Sequence, residues 1–97
     1  MPAGHHAAMA RIIFTPQLRR FVEAPEVLVE AASVREALDT ALADKPRLRA
    51  YVLDEQGHLR ANVTIFVDGR RLRDLRGLSD ALGPEAQVHV LQALSGG

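Results

Sequence analysis

Residues 33–42 constrain the fold of this chain more than any other segment, because they have the pattern of one amphipathic helix. Ser33 and Glu36 have the spacing of a capping box, in which a hydroxyl and a carboxylate each satisfy a backbone N–H at the start of a helix. Pro46 ends the helix, since proline disfavours helical backbone at the residue before it. The apolar residues that recur on one face are Val34, Ala37, Leu38, Ala41 and Leu42.

Segments rich in β-branched and aromatic residues flank this helix and predict a sheet. The strongest is residues 62–67, followed by Asp68-Gly69, a dipeptide typical of tight turns. Residues 47–53 predict a short helix, and residues 78–82 predict a single helical turn. The predicted strands are residues 11–15, 26–30, 62–67, 70–75 and 87–92.

The order of these elements predicts the fold class. Two strands, one main helix and two or three further strands can pack as a mixed sheet with the helix across one face. We therefore expect an α+β protein with a β-grasp, or ubiquitin-like, architecture: a mixed four- to five-stranded sheet and one main helix. Residues 1–9 are expected to form a disordered leader, and residues 10–97 the domain with its Gly-Gly tail.

Composition narrows the classes of function. The 97 residues suit one domain, and their twelve basic and twelve acidic side chains leave no net charge to attract nucleic acid or an anionic membrane. The absence of cysteine excludes disulfides, thiolate nucleophiles and cysteine metal sites. No apolar run has the length of a membrane helix, and no secretory signal is present. We expect a cytoplasmic protein without a membrane or nucleic-acid partner, and a monomer when free.

The end of the sequence raises a different possibility. Leu94, Ser95, Gly96 and Gly97 follow the last predicted strand. Glycine has no Cβ, so a Gly-Gly end can pass through a channel no wider than the backbone. Extended at about 3.3 Å per residue, residues 94–97 reach about 13 Å. These residues therefore predict a tail that threads into a partner and presents the Gly97 carboxylate, although an inert tail is the simpler alternative.

Three segments resemble the MoaD/ThiS family of ubiquitin-like sulfur carriers. Residues 63–70, "VTIFVDGR", are similar to the family's central strand and turn, and residues 72–82, "LRDLRGLSDAL", to a connection found in one branch. Residues 88–97, "VHVLQALSGG", match the last strand and the Gly-Gly end. Ser95 stands where the family often has alanine, and the tail lacks the proline that is common there.

This resemblance implies a carrier rather than an enzyme. Its Gly97 carboxylate would be adenylated by an E1-like enzyme that uses ATP, and converted to a thiocarboxylate that gives its sulfur to a biosynthetic enzyme, for cysteine, cofactor or tRNA thiolation. No stably bound cofactor is expected. The alternatives are the small subunit of a molybdopterin synthase, a ubiquitin-like modifier conjugated through Gly97, and an interaction domain with an inert tail.

A second candidate site is a face of the predicted sheet. If the alternate residues Val63, Ile65, Val67, Val88 and Val90 point towards the helix, Phe66, His89 and Leu91 lie together on the opposite face. Such an apolar cluster beside the tail suits partner binding. No zinc-ligand spacing, phosphate-binding loop or paired-carboxylate motif is present, so we expect no metal site and no catalytic residue. A basic run is best explained as a solvated face: Arg60, Arg70, Arg71, Arg73 and Arg76.

Overall fold

A computed structural model describes residues 8–15, residue 18 and residues 26–92. In this part of the chain, five strands form one mixed sheet with the order β2-β1-β5-β3-β4. β1 and β5 are parallel, and the other neighbours are antiparallel. The elements are β1 (Ala8–Phe14), β2 (Glu26–Ala31), α1 (Val34–Leu42), α2 (Pro46–Val52), β3 (Val63–Val67), β4 (Arg70–Arg71) and β5 (Gln87–Gln92).

The main helix, α1, forms where its capping box predicts. The Ser33 hydroxyl accepts a hydrogen bond from the Glu36 N–H at 3.2 Å, and the Glu36 carboxylate accepts one from the Ala32 N–H at 2.8 Å. Two backbone donors at the start of the helix are thereby satisfied. The predicted apolar face is buried in full: Val34, Ala37, Leu38, Ala41 and Leu42.

The core lies between α1 and one face of the sheet, here called the inner face. Side chains along a strand alternate between faces, so every second strand residue reaches this layer. Burial removes the apolar area from water, which is the main stabilising contribution to a domain of this size. The buried strand residues are Ala10, Ile12, Phe14, Val29, Ala31, Val63, Ile65, Val88 and Val90.

The second helix and the tight turn also follow the prediction. α2 carries Pro46 in its first turn, where the missing N–H of proline costs no helical hydrogen bond, and buries Leu48 and Val52. Asp68 and Gly69 have φ values of 51° and 84°, the left-handed backbone of a tight hairpin turn between β3 and β4. β4 covers only Arg70–Arg71, which is shorter than the predicted segment 70–75.

The first strand begins earlier than predicted. Ala8 pairs with Ala31 and Met9 pairs with Glu30, so both residues belong to the sheet rather than to the expected leader. The earlier start follows from the length of β2, whose end offers these two residues a strand to pair with. Residues 1–7 lie outside the described residues.

The single helical turn predicted for residues 78–82 is wrong. Leu78 has a φ of 56°, which no right-handed helix allows, and Ala81 forms a β-bridge with Ser33. The Asp80 carboxylate accepts hydrogen bonds from the N–H groups of Arg73 and Asp74 at 2.9 and 2.8 Å. Side chains that satisfy backbone donors in this way compete with helix formation.

Candidate functional site

β5 is the middle strand of the sheet and leads towards the sequence's Gly-Gly end. β1 holds β5 on one side and β3 holds it on the other, through pairs such as Phe14 with Val90 and Val63 with Gln92. Gln92 is the last residue of the strand. Gln92 therefore lies at the end of the middle strand, and residues 93–97, here called the tail, follow it in the sequence. The tail residues predicted to function, Leu94, Ser95, Gly96 and Gly97, lie outside the described residues.

The structure brings the three predicted docking residues onto one face. Phe66 and His89 are direct cross-strand partners, and Leu91 is the partner of Thr64. Their strand neighbours Ile65 and Val90 are buried on the inner face, so these three side chains occupy the opposite face, here called the outer face. Phe66, His89 and Leu91 are each partly exposed. They are accessible without being fully solvated, as a preformed contact surface requires.

The outer face continues on both sides of this group. Ile13 of β1 lies beside His89, and Arg71 of β4 lies beside Phe66, which makes one row across four strands. Sequence reasoning missed Ile13 because it considered the alternation of β3 and β5 alone. The same period-two alternation in β1 indicates that Ile13 lies on the outer face, because Ile12 and Phe14 on either side of it are buried.

Two more exposed apolar residues lie at the far end of the outer face. Met9 is 48% exposed and Leu28 is 60% exposed. They line a shallow cavity with Arg11 and Gln87, and the Arg11 guanidinium lies 3.6 Å from the carboxylate of Glu26. This end of the face is thus apolar with a charged border, whereas the Phe66 end is nearer to the tail.

The basic run borders a separate cleft at the β3–β4 turn. Arg70, Arg71 and Arg73 line it together with Asp80. Within residues 26–92, none of these three guanidinium groups lies in an ion pair with a carboxylate. The arginines remain exposed, which agrees with the prediction of a solvated face.

The neighbouring carboxylate of Asp74 is engaged by its own loop. The Ser79 hydroxyl donates to Asp74 Oδ2, and the Gly77 N–H donates to Oδ1 at 2.9 Å. These bonds lower the pKa of Asp74 from its usual value, with the Ser79 hydroxyl as the largest cause. The Asp74 side chain therefore stabilises the conformation of this loop.

Two features are absent from the described residues. No group of three or more His, Asp or Glu side chains among them is arranged to hold a metal ion. No helix among them has the length and apolar character needed to cross a membrane.

Comparison with known proteins supports the same fold. No protein-family model and no curated protein matches the sequence. Among solved structures, small archaeal modifier protein 1 of Methanosarcina acetivorans has a TM-score of 0.79 at 24% identity, covering 95% of this chain and 99% of that one. A chain of the Amycolatopsis orientalis BexX/CysO complex has a TM-score of 0.78 at 20% identity, covering 91% of this chain and 99% of that one.

A third match is more distant. Urm1 of Sulfolobus solfataricus has a TM-score of 0.68 at 17% identity, covering 84% of this chain and 97% of that one. This chain has the ubiquitin-like β-grasp fold. Its likeness to proteins of the MoaD/ThiS type, predicted from the sequence, is confirmed as a likeness of fold.

Proposed function

We propose that this β-grasp protein is a sulfur carrier whose reactive group is the carboxylate of Gly97. The observation that carries the proposal is the position in the sequence of Gly96 and Gly97, four and five residues after Gln92, the end of the central strand. When extended, a five-residue tail reaches about 16 Å. That reach is enough to place a carboxylate inside a partner's site while the folded body stays outside.

The chemistry would take place in an E1-like adenylating partner. The Gly97 carboxylate oxygen attacks the α-phosphorus of ATP, which forms an acyl-adenylate and releases pyrophosphate. A sulfur nucleophile, sulfide or a persulfide, then attacks the acyl carbon. AMP leaves with the oxygen that had joined it to the carbon, and the tail ends in a thiocarboxylate once any persulfide bond has been reduced by a thiol. A biosynthetic enzyme accepts this sulfur. The proposed compartment is the cytoplasm, where ATP is available to the partner.

The outer face is the proposed surface for these partners. Phe66, His89 and Leu91, extended by Ile13, form a partly exposed apolar group on the strands next to the tail. Partner contacts of this kind concentrate their energy in a few aromatic and apolar side chains. The matched chain of the BexX/CysO complex comes from an assembly with a partner protein, which supports a docking role for this fold.

The second candidate is a modifier that is joined through Gly97 to lysines of other proteins. The name of the matched small archaeal modifier protein favours it. Lys45, the only lysine in the sequence, is poorly placed for self-conjugation. Its ammonium group donates to the Ala41 carbonyl at 3.2 Å and to the Asp44 carboxylate at 3.0 Å. Lys45 therefore bears on self-conjugation and not on conjugation to other proteins. A molybdopterin synthase small subunit remains a narrower form of the carrier proposal.

Intact mass tests these alternatives directly. The chain is co-expressed with an E1-like adenylating enzyme and purified, and its intact mass is measured by mass spectrometry. A variant that lacks Gly97 is treated in the same way. A carrier shows one oxygen replaced by sulfur in the parent chain only, and the measured mass also establishes that the chain ends at Gly97. Conjugates to other proteins would instead support the modifier, and Lys45→Arg would remove only self-conjugates. An unmodified mass with every adenylating enzyme tried would refute the proposal.

The truncated chain provides its own control for folding. Among the described residues, the buried core consists of residues between Ala10 and Val90. Removing Gly97 takes no side chain from that core, so the melting temperature should remain within about 1 °C of the parent value. A large loss of stability would mean that the tail packs on the body instead of being available to a partner.

A further inference from the structure

Gln92 is a polar residue at a position where the pattern of β5 would place an apolar one. Val88 and Val90 point to the inner face and are fully buried, and Gln92 is the next residue on that side. Its side chain is partly buried. An amide in such surroundings is unfavourable unless it is hydrogen-bonded. We therefore expect the side-chain amide of Gln92 to have a hydrogen-bonding partner.

That partner is the hydroxyl group of Tyr51. Gln92 Nε2 donates to the Tyr51 oxygen, which links two residues 41 positions apart in sequence. Tyr51 belongs to α2 and packs against the hydrophobic core. α2 is itself anchored by buried Leu48 and Val52, and by the Arg60 guanidinium, which donates to the Ala50 carbonyl at 2.6 Å. The hydrogen bond therefore joins the last strand residue to a well-supported helix.

Among the described residues, the backbone at Gln92 has a sheet partner on one side. That partner is Val63, the first residue of β3. On the other side the described pairing with β1 stops at Phe14 and Val90, followed by a hydrogen bond from the Thr15 N–H to the Val90 carbonyl at 3.2 Å. Within the described part of the chain, Gln92 is thus held by one strand and by its side chain. A strand end held in this way frays unless the side-chain link restrains it.

The amide oxygen of Gln92 adds a second observation. It is shielded from water, and it accepts no hydrogen bond within the described part of the chain. Buried polar atoms of this kind are uncommon in folded proteins and often mark functional positions. A buried acceptor without a partner among the described residues therefore lies at the last residue of β5, where the tail begins.

We propose that the Gln92–Tyr51 pair is a positioning device for the tail. By fixing residue 92 against α2, it restrains the residue after which the tail begins, so less conformational freedom is lost there when a partner binds. Such preorganisation improves binding without changing the chemical step. The proposal rests on the proposed function of the tail, and Gln92 and Tyr51 act only through the tail's position.

Two substitutions test the pair, with a matched control. Tyr51→Phe removes the hydroxyl and keeps the ring, and Gln92→Met keeps the length of the side chain without its amide. Gln56→Met makes the same change at an exposed residue of the turn after α2, away from the sheet. Amide hydrogen exchange of residues 91–97 is measured on the free full-length chains, and the KM and kcat of adenylation are measured with the E1-like enzyme.

The pair predicts one pattern across both measurements. Tyr51→Phe and Gln92→Met should accelerate exchange at residues 91 and 92 and raise KM about three- to tenfold at unchanged kcat, as the loss of one hydrogen bond implies. Gln56→Met should change neither. Exchange and KM equal to those of the parent chain would overturn the proposal, as would an equal response to Gln56→Met. If the parent chain is not adenylated, the proposed function fails. The exchange data alone then decide whether the Gln92–Tyr51 pair restrains the end of β5.

Discussion

The turn between β3 and β4 permits a sharp test of how the sequence determines this fold. Gly69 has a φ of 84°, a backbone conformation that costs an L-residue about 1–2 kcal/mol. A Cβ added at Gly69 would meet no atom within 4 Å, so steric contact contributes nothing. Gly69→Ala should therefore destabilise the protein through the backbone alone, by about 1 kcal/mol after the reduced entropy of the unfolded chain is subtracted.

Gly83 provides the matched control. A Cβ there also meets no atom within 4 Å, but its φ lies outside the left-handed region. Gly83→Ala should consequently stabilise the protein by about 0.4–1 kcal/mol, because alanine restricts the unfolded chain without straining the folded one. The two substitutions make the same chemical change and should shift stability in opposite directions.

Thermal unfolding followed by circular dichroism measures both effects. For a domain of this size, 1 kcal/mol corresponds to about 4–8 °C in Tm, so Gly69→Ala should lower Tm by roughly that amount and Gly83→Ala should raise it by a few degrees. Urea titration should show unchanged m-values if both variants reach the same folded state. An unchanged Tm for Gly69→Ala, or a loss of similar size in both variants, would refute the backbone argument.

Two further predictions concern docking and pH. Phe66→Ala should weaken binding to the adenylating partner by about tenfold or more. Leu75→Ala is the control, because this side chain is 59% exposed and lies outside the strands, and it should leave the affinity unchanged. Equal affinities of the two variants in titration calorimetry would contradict the docking role of Phe66. The His58 and Gln56 N–H groups donate to Asp54, and the His58 bond is the largest cause that lowers the pKa of Asp54 below its usual 3.8. The stabilisation by ionised Asp54 is present above pH 3.8 and is lost as the pH falls through the lowered pKa. In Asp54→Asn, the free energy of unfolding from urea titrations should therefore decrease less steeply as the pH is lowered below 3.8. An unchanged pH dependence would contradict this prediction.

Local patterns predicted the elements of this protein well. The capping box at Ser33 and the apolar spacing after it act within one helix, so they do not depend on the rest of the chain. The Asp68-Gly69 turn is local in the same sense. Period-two alternation likewise predicted which residues of β3 and β5 are buried and which lie on the outer face. Local signals failed at residues 78–82, where Asp80 bonds to residues earlier in the chain.

The sequence by itself determined α1, the strands and the two faces of the sheet, because each depends on neighbours a few residues apart. Only the tertiary structure decided which strands lie side by side. It placed β5 between β1 and β3, which brings Ile13, His89 and Phe66 into one row. It also joined Gln92 to Tyr51 across 41 residues. Contacts between distant parts of a chain leave no period in the sequence, because they arise from how the apolar faces pack once the elements have formed.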